Sequence, residues 1–136
     1  MNIETLIKEA WAVRENAYCP YSRFAVGAAL STPEGKIFTG CNVESSSYGL
    51  TICAERVALF KALSEGENNF KNISILSDAE DFCPPCGACR QVLMDFAPNI
   101  EVILLNDKGR KRIYSLADLL PEAFTPERLK RSRKKP

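Results

Sequence analysis

Three cysteines and one glutamate hold the chemistry legible in this chain: Cys53-Ala54-Glu55 and, after a long gap, Pro85-Cys86-Gly87-Ala88-Cys89. The sequence has no histidine, so any transition-metal site must be built from thiolates and carboxylates. Three thiolates can hold a zinc ion and leave its fourth position open, and an open position is where zinc makes water nucleophilic. Glu55, two residues from one of those thiolates, is then available as a proton carrier. Together the four residues read as a hydrolytic zinc centre.

Each half has a plainer reading alone. A C-x-x-C pair by itself fits a structural zinc knuckle or a redox couple. A glutamate beside a cysteine can close the coordination as a fourth ligand, whereas a general base must stand next to the water without binding metal. Spacing does not decide between these roles. The composite of Cys-Ala-Glu with Pro-Cys-x-x-Cys is much more specific than either part.

Such a site needs elements that converge on it. Ile3, Leu6, Ile7, Ala10, Val13 and Ala17 recur at helical spacing, and Cys19-Pro20-Tyr21-Ser22 ends that helix. A strand over 24–32, a turn at Pro33-Glu34-Gly35-Lys36 and a strand over 37–43 form a hairpin, followed by a loop over 44–51. A helix spans 52–65 with Gly66 at its end, then a strand covers 72–77 and a loop 78–85. A third helix covers 86–96, a buried strand 100–105, and a last strand lies near 112–114. Ser115 caps a short helix reaching Leu120. Alternating strands and helices imply an α/β fold of three α/β/α layers around a mixed sheet of about five strands.

Within this plan Cys86 and Cys89 share one face at a helix start, and Cys53 opens the preceding long helix. Two helix N-termini thus meet at one point, each with free N–H groups and a positive dipole end. Three thiolates and Zn²⁺ sum to −1, which resists forming hydroxide on the metal. The two N-termini, with Arg56 and Arg90 as thiolate partners, offset that excess. Cys83 offers an alternative ligand, but it precedes Pro84-Pro85 in extended chain, off the helix face. Cys19 and Cys41 are expected to be small packing residues.

Composition narrows the classes. At 136 residues with 46% hydrophobic side chains, the chain can bury a core without disulfides. The formal charge is +1, which points to neither nucleic acid nor membrane. No signal-like N-terminus or bilayer-length apolar run is present, and six cysteines without a secretory signal fit a reducing, cytoplasmic setting. Arg128, Lys130, Arg131, Arg133, Lys134 and Lys135 crowd the end of the chain. Without them 12 basic residues face 17 acidic ones, a net −5. Residues 1–127 are expected to form one domain and 128–136 a flexible basic tail, whose lack of aromatics argues against a nucleic-acid platform.

Cys53-Ala54-Glu55-Arg56 with Pro85-Cys86-Gly87-Ala88-Cys89-Arg90-Gln91 resembles the small zinc-dependent cytidine deaminases of nucleoside salvage, a class whose metal signature pairs a His or Cys ligand and a non-ligand Glu with P-C-x-x-C. Tyr18–Gly27, Gly40-Cys41-Asn42-Val43-Glu44 and Leu119-Leu120-Pro121-Glu122-Ala123-Phe124 extend the likeness over nearly the whole chain. The resemblance implies a cytidine deaminase-like fold and one Zn²⁺ per subunit held by Cys53, Cys86 and Cys89. Glu55 would carry a proton from the activated water to N3 of cytosine, and in a second transfer would protonate the departing ammonia. Cytidine and 2′-deoxycytidine would become uridine and 2′-deoxyuridine.

The same resemblance implies substrate contacts from Phe24, Asn42, Val43, Glu44, the Ala54 N–H and the Pro84 carbonyl. Asn42 and Glu44 would address ribose hydroxyls. Pro84 stands where the family often has serine, so the carbonyl contact survives and a hydroxyl is lost. Arg56 would neutralise thiolate charge, and a homotetramer would bring Tyr48 and Phe124 to a neighbouring subunit's site. Three alternatives remain: a blasticidin-type aminonucleoside deaminase, a polynucleotide editor, and a non-catalytic zinc-binding module.

Overall fold

Asn2 starts the first helix by accepting the Thr5 N–H on its side chain at 2.9 Å. This computed structural model describes residues 2–131, and α1 covers Ile3–Arg14 with Leu6, Ile7 and Ala10 buried. The helix stops before the expected Ala17. There the Tyr18 N–H turns to the Asn42 carbonyl, and Tyr18 forms a parallel bridge with Val43.

The sheet is mixed and five-stranded in the order β2-β1-β3-β4-β5. Its strands are β1 (Val26–Ser31), β2 (Ile37–Cys41), β3 (Asn72–Ser77), β4 (Glu101–Leu105) and β5 (Lys111–Ser115). β3 and β4 run parallel, and every other pairing is antiparallel. A parallel pair needs a crossover, supplied here by α3 (Gly87–Phe96). β1 and β2 are shorter than the sequence suggests. The Asn42 side chain takes the Val26 N–H and the Phe24 carbonyl, so the chain around residue 24 is held by a side chain, not by the ladder.

Alternation along the strands builds two cores. Ala28, Leu30, Ile73, Ile75, Val102 and Leu104 pack with Ala54, Ala58, Leu59 and Ala62 of α2 (Ala54–Ser64) and with Leu93 of α3. Ala29, Leu76, Ile103 and Leu105 face Leu6, Ile7 and Ala10 of α1. This is the expected three-layer α/β arrangement. Among the described residues no helix is long and apolar enough to cross a membrane.

Two glycines set α2. Gly66, at φ +92°, lets the helix close with Glu67 N–H to the Ala62 carbonyl and Gly66 N–H to the Leu63 carbonyl, at 3.1 and 3.0 Å. Gly40 on β2 lets the first turns of α2 lie directly on the sheet. A Cβ there would stand 2.4 Å from the Ala54 carbonyl oxygen and 2.5 Å from the Ala58 nitrogen. Gly40→Ala is therefore expected to destabilise the fold by about 1–3 kcal/mol, the usual cost of overpacking, and to displace the helix start that carries Glu55. A denaturant midpoint equal to that of the parent would contradict this.

The C-terminal part holds a surprise. α4 (Leu116–Leu119) follows the Ser115 cap, whose side chain accepts the Asp118 N–H. A further helix, α5 (Pro126–Arg131), then crosses the 127/128 boundary. Thr125 accepts the Arg128 N–H on its hydroxyl and Pro126 occupies the first helical position, an ordinary helix-start signature hidden by the run of charge. Residues 132–136 of the expected tail lie outside the described residues.

Candidate metal centre and adjoining cleft

Both helices that follow the sheet on this face begin with a cysteine. Cys53 is the extended residue capping α2, and Cys86 holds the same position on α3. The Cys86 sulfur accepts the Cys89 N–H at 3.4 Å, so cap and first turn bring these two side chains together. Cys53 Sγ lies 3.9 Å from Cys86 Sγ, and the sulfurs of Cys53, Cys86 and Cys89 all lie within 4.8 Å of one another. Tetrahedral zinc with Zn–S of about 2.3 Å sets neighbouring sulfurs roughly 3.8 Å apart, so the three residues fit that ion.

The electrostatics also suit a cation. Hydrogen bonding from the Cys89 thiol, then from Arg56 and Cys86, draws the Cys53 thiol down to about 5. Cys89 moves the other way, because its proton is shared with the Cys53 sulfur and the group is buried. Arg56 donates from Nη2 to Cys53 Sγ at 3.6 Å, as expected of a charge partner, and that contact raises its own pKa. Arg90 does not join it. Its Nε donates to the Pro85 carbonyl at 2.7 Å and Nη1 to the Leu119 carbonyl at 2.8 Å, pinning the turn before α3 to the end of α4. The sequence suggested a thiolate partner because arginine follows Cys89 directly, but an adjacent helical residue points to a different side.

Glu55 sits in the first turn of α2 and is 4% exposed. Burial pushes its carboxyl up to about 7, and the charge on Cys53 adds to the rise. A carboxyl balanced near neutrality, beside a metal-binding cluster yet outside it, suits proton transfer. It opens into a cleft of about 270 Å³ together with Cys53, Cys86, Ala54, Pro84, Phe24, Asn42 and Glu44. The structure thus gathers most of the residues named from sequence.

Several lie elsewhere. Cys89 is buried within the sulfur cluster, and Arg56 reaches that cluster through Cys53. The Val43 side chain is exposed while its backbone pairs with Ile52, and it does not line the cleft. Tyr48, 72% exposed, stands on a neighbouring hollow with Tyr21, Ser22, Glu44 and Thr51. Phe124, 56% exposed, lines a separate groove and has its carbonyl held by Gln91 Nε2 at 2.8 Å.

Three further cleft residues are not among those the sequence singles out, Ser22, Val26 and Thr51, and Cys83, weighed there as an alternative ligand, joins them in the lining. Ser22 follows a proline-centred break and carries no motif of its own, so only the local fold reveals it. Cys83 stands in the cleft wall outside the sulfur triad, and burial pushes its thiol up to about 11. Cys83→Ser is expected to keep one zinc per chain and activity within about threefold, since a neutral small group replaces a neutral small group. Loss of zinc in a metal assay would instead place Cys83 among the ligands.

The family model for the cytidine and deoxycytidylate deaminase zinc-binding region matches residues 1–105. The cytidine deaminase of Sporosarcina psychrophila is 48% identical over 130 residues, 95% of this chain and 96% of the relative. That of Halalkalibacterium halodurans is 50% identical over 93% of this chain and 97% of its own length. The crystal structure of cytidine deaminase from Burkholderia pseudomallei superposes with a TM-score of 0.88 at 51% identity, covering 91% of this chain and 100% of that one.

Proposed function

Since the chain belongs to the cytidine and deoxycytidylate deaminase family, we propose that it hydrolyses cytidine and 2′-deoxycytidine to uridine and 2′-deoxyuridine with release of ammonia. The observation that carries this reading is the junction of three clustered sulfurs and a buried carboxyl at the floor of one small cleft. Cys53, Cys86 and Cys89 would hold zinc, which when bound would lower the pKa of water enough to supply a nucleophile at neutral pH.

The side chains then have separate tasks. Glu55 takes one proton from the attacking water and delivers it to N3 of the cytosine ring, then takes the second from the hydroxyl gained at C4 and delivers it to the amino nitrogen as the C4–N bond breaks and the C4 carbonyl forms. Its balanced carboxyl lets one residue act as base and acid in turn. Ala54 offers its N–H at the start of α2, where helix N–H groups have no intrahelical partner, and Pro84 offers a carbonyl. Phe24 walls the base. Asn42 already donates to the Phe24 carbonyl at 2.7 Å and accepts from Val26 at 2.9 Å, which leaves one N–H and one lone pair for a ribose hydroxyl. Arg56 screens the Cys53 thiolate and so reduces the negative charge around the nucleophile.

The working unit is a homotetramer in which Tyr48 and Phe124 reach a neighbour's cleft. Their exposure, with that of Leu50 at 69%, supports this arrangement, because such apolar surface is normally covered in an assembly. Residues 1–127 form the catalytic domain, and the setting is pyrimidine salvage in the cytoplasm. The test is ultraviolet monitoring of cytidine and deoxycytidine conversion by the purified protein alongside a metal assay. Zinc-loaded protein that converts neither nucleoside refutes the reading.

A further inference from the structure

A chain of hydrogen bonds joins the two sides of the cleft. Glu44 Oε1 accepts the backbone N–H groups of Tyr21 and Ser22 at 3.0 and 3.1 Å, and Oε2 accepts the Ser22 hydroxyl. The Ser22 oxygen in turn accepts the Phe24 N–H at 3.0 Å. Asn42, two residues before Glu44 on the same stretch of chain, completes the link by donating to the Phe24 carbonyl. One exposed hydroxyl therefore sits between Glu44 on one wall and Phe24 on the other.

The backbone between them is unusual. Arg23 adopts φ +57°, a left-handed conformation that side chains other than glycine rarely occupy, and its N–H bonds the Cys19 carbonyl at 2.9 Å. This turn brings the Phe24 N–H back onto the Ser22 oxygen. Such conformations persist only where surrounding contacts over-determine them, and they cluster where geometry matters to function. Glu44 bears the electrostatic mark of the arrangement: the Ser22 hydroxyl, foremost, holds its carboxyl below the usual range. With three donors already aimed at it, the Glu44 carboxylate is a fixed, ionised acceptor. Its remaining lone pairs can take a hydroxyl donor without first finding a partner or a rotamer.

We propose that Ser22 is a positioning residue for sugar recognition: its hydroxyl fixes Glu44 relative to Phe24, so that the sugar hydroxyl and the base are read in one rigid frame. This rests on the nucleoside reading of the cleft. The Ser22 hydroxyl acts through Glu44 and lies outside the sulfur cluster, so its effect falls on substrates that carry sugar hydroxyls.

The test compares the zinc-loaded protein with Ser22→Ala and Ser22→Thr on two substrates, cytidine and 2′,3′-dideoxycytidine, which lacks both ring hydroxyls. The parent should prefer cytidine. Ser22→Ala should shrink that preference in kcat/KM by about tenfold, the scale of one hydrogen bond to a charged group, mainly through KM, and Ser22→Thr should restore it. Ser22 is exposed, so the variants are expected to fold. An unchanged preference in Ser22→Ala, or an equal loss on both substrates, overturns the proposal. A parent enzyme that turns over both nucleosides equally removes the Glu44 sugar contact and the proposal with it. Failure of the parent to convert either is distinct, because it refutes the deaminase reading itself.

Discussion

Glu55→Gln is expected to lower kcat for cytidine by about a thousandfold, within the range that positioned acid–base groups contribute, while zinc stays bound. Glutamine keeps the size and most of the polarity of the side chain, so the tight packing of the first α2 turn should survive. It cannot take up and return a proton. The buried carboxyl, balanced near 7, carries out two proton transfers in the proposed reaction, and the amide carries out neither. The sulfur cluster does not include Glu55, so metal content should equal that of the parent. Two measurements are needed: single-substrate kinetics by ultraviolet absorbance and zinc per chain. Unaffected turnover would overthrow the catalytic assignment, and zinc loss would convert Glu55 from proton carrier into ligand, the alternative that spacing left open.

The parts of the fold that were legible are those governed by local rules. Periodicity marks α1 because one face of it must meet the sheet, Gly66 marks the end of α2, and the largely apolar stretch 100–105 marks β4 because that strand is buried on both faces. The boundaries shifted where side chains replaced backbone partners. Asn42 ends the β1–β2 ladder early by bonding Phe24 and Val26, and no propensity encodes that. α5 is not legible because a run of cations without apolar spacing carries no helical pattern, and its start rests on the Thr125 cap and Pro126 alone. In the site, the residues fixed by chemistry were readable: thiolates at helix starts and a carboxylate within the first turn of α2. Ser22 was not, because a serine acquires meaning only through Glu44, 22 positions away in sequence. Arg90 shows the converse error, in which closeness in sequence to a ligand suggested a contact that helix geometry sends elsewhere.

Removal of one sulfur should have the second large effect. Cys53→Ser is expected to lose zinc and with it all measurable turnover. Cys86 and Cys89 belong to the start of α3, whereas Cys53 supplies the cluster's sulfur from the start of α2. Without it two thiolates remain, and a pair from one helix turn holds zinc far less tightly than a triad drawn from two elements. The substitution is well chosen because serine is among the best residues at a helix N-cap, so α2 itself should not fray. Loss of function would then reflect the metal and not the helix. Zinc held in this way would join both helix starts of the folded chain, so it should also stabilise the fold by mass action. Chelation should lower the Tm of the parent and leave that of Cys53→Ser unchanged, since the variant has no bound zinc to give up. Full zinc occupancy in Cys53→Ser, with an undiminished response to chelator, would remove Cys53 from the ligand set and leave the meeting of the two helix starts without its chemical reason.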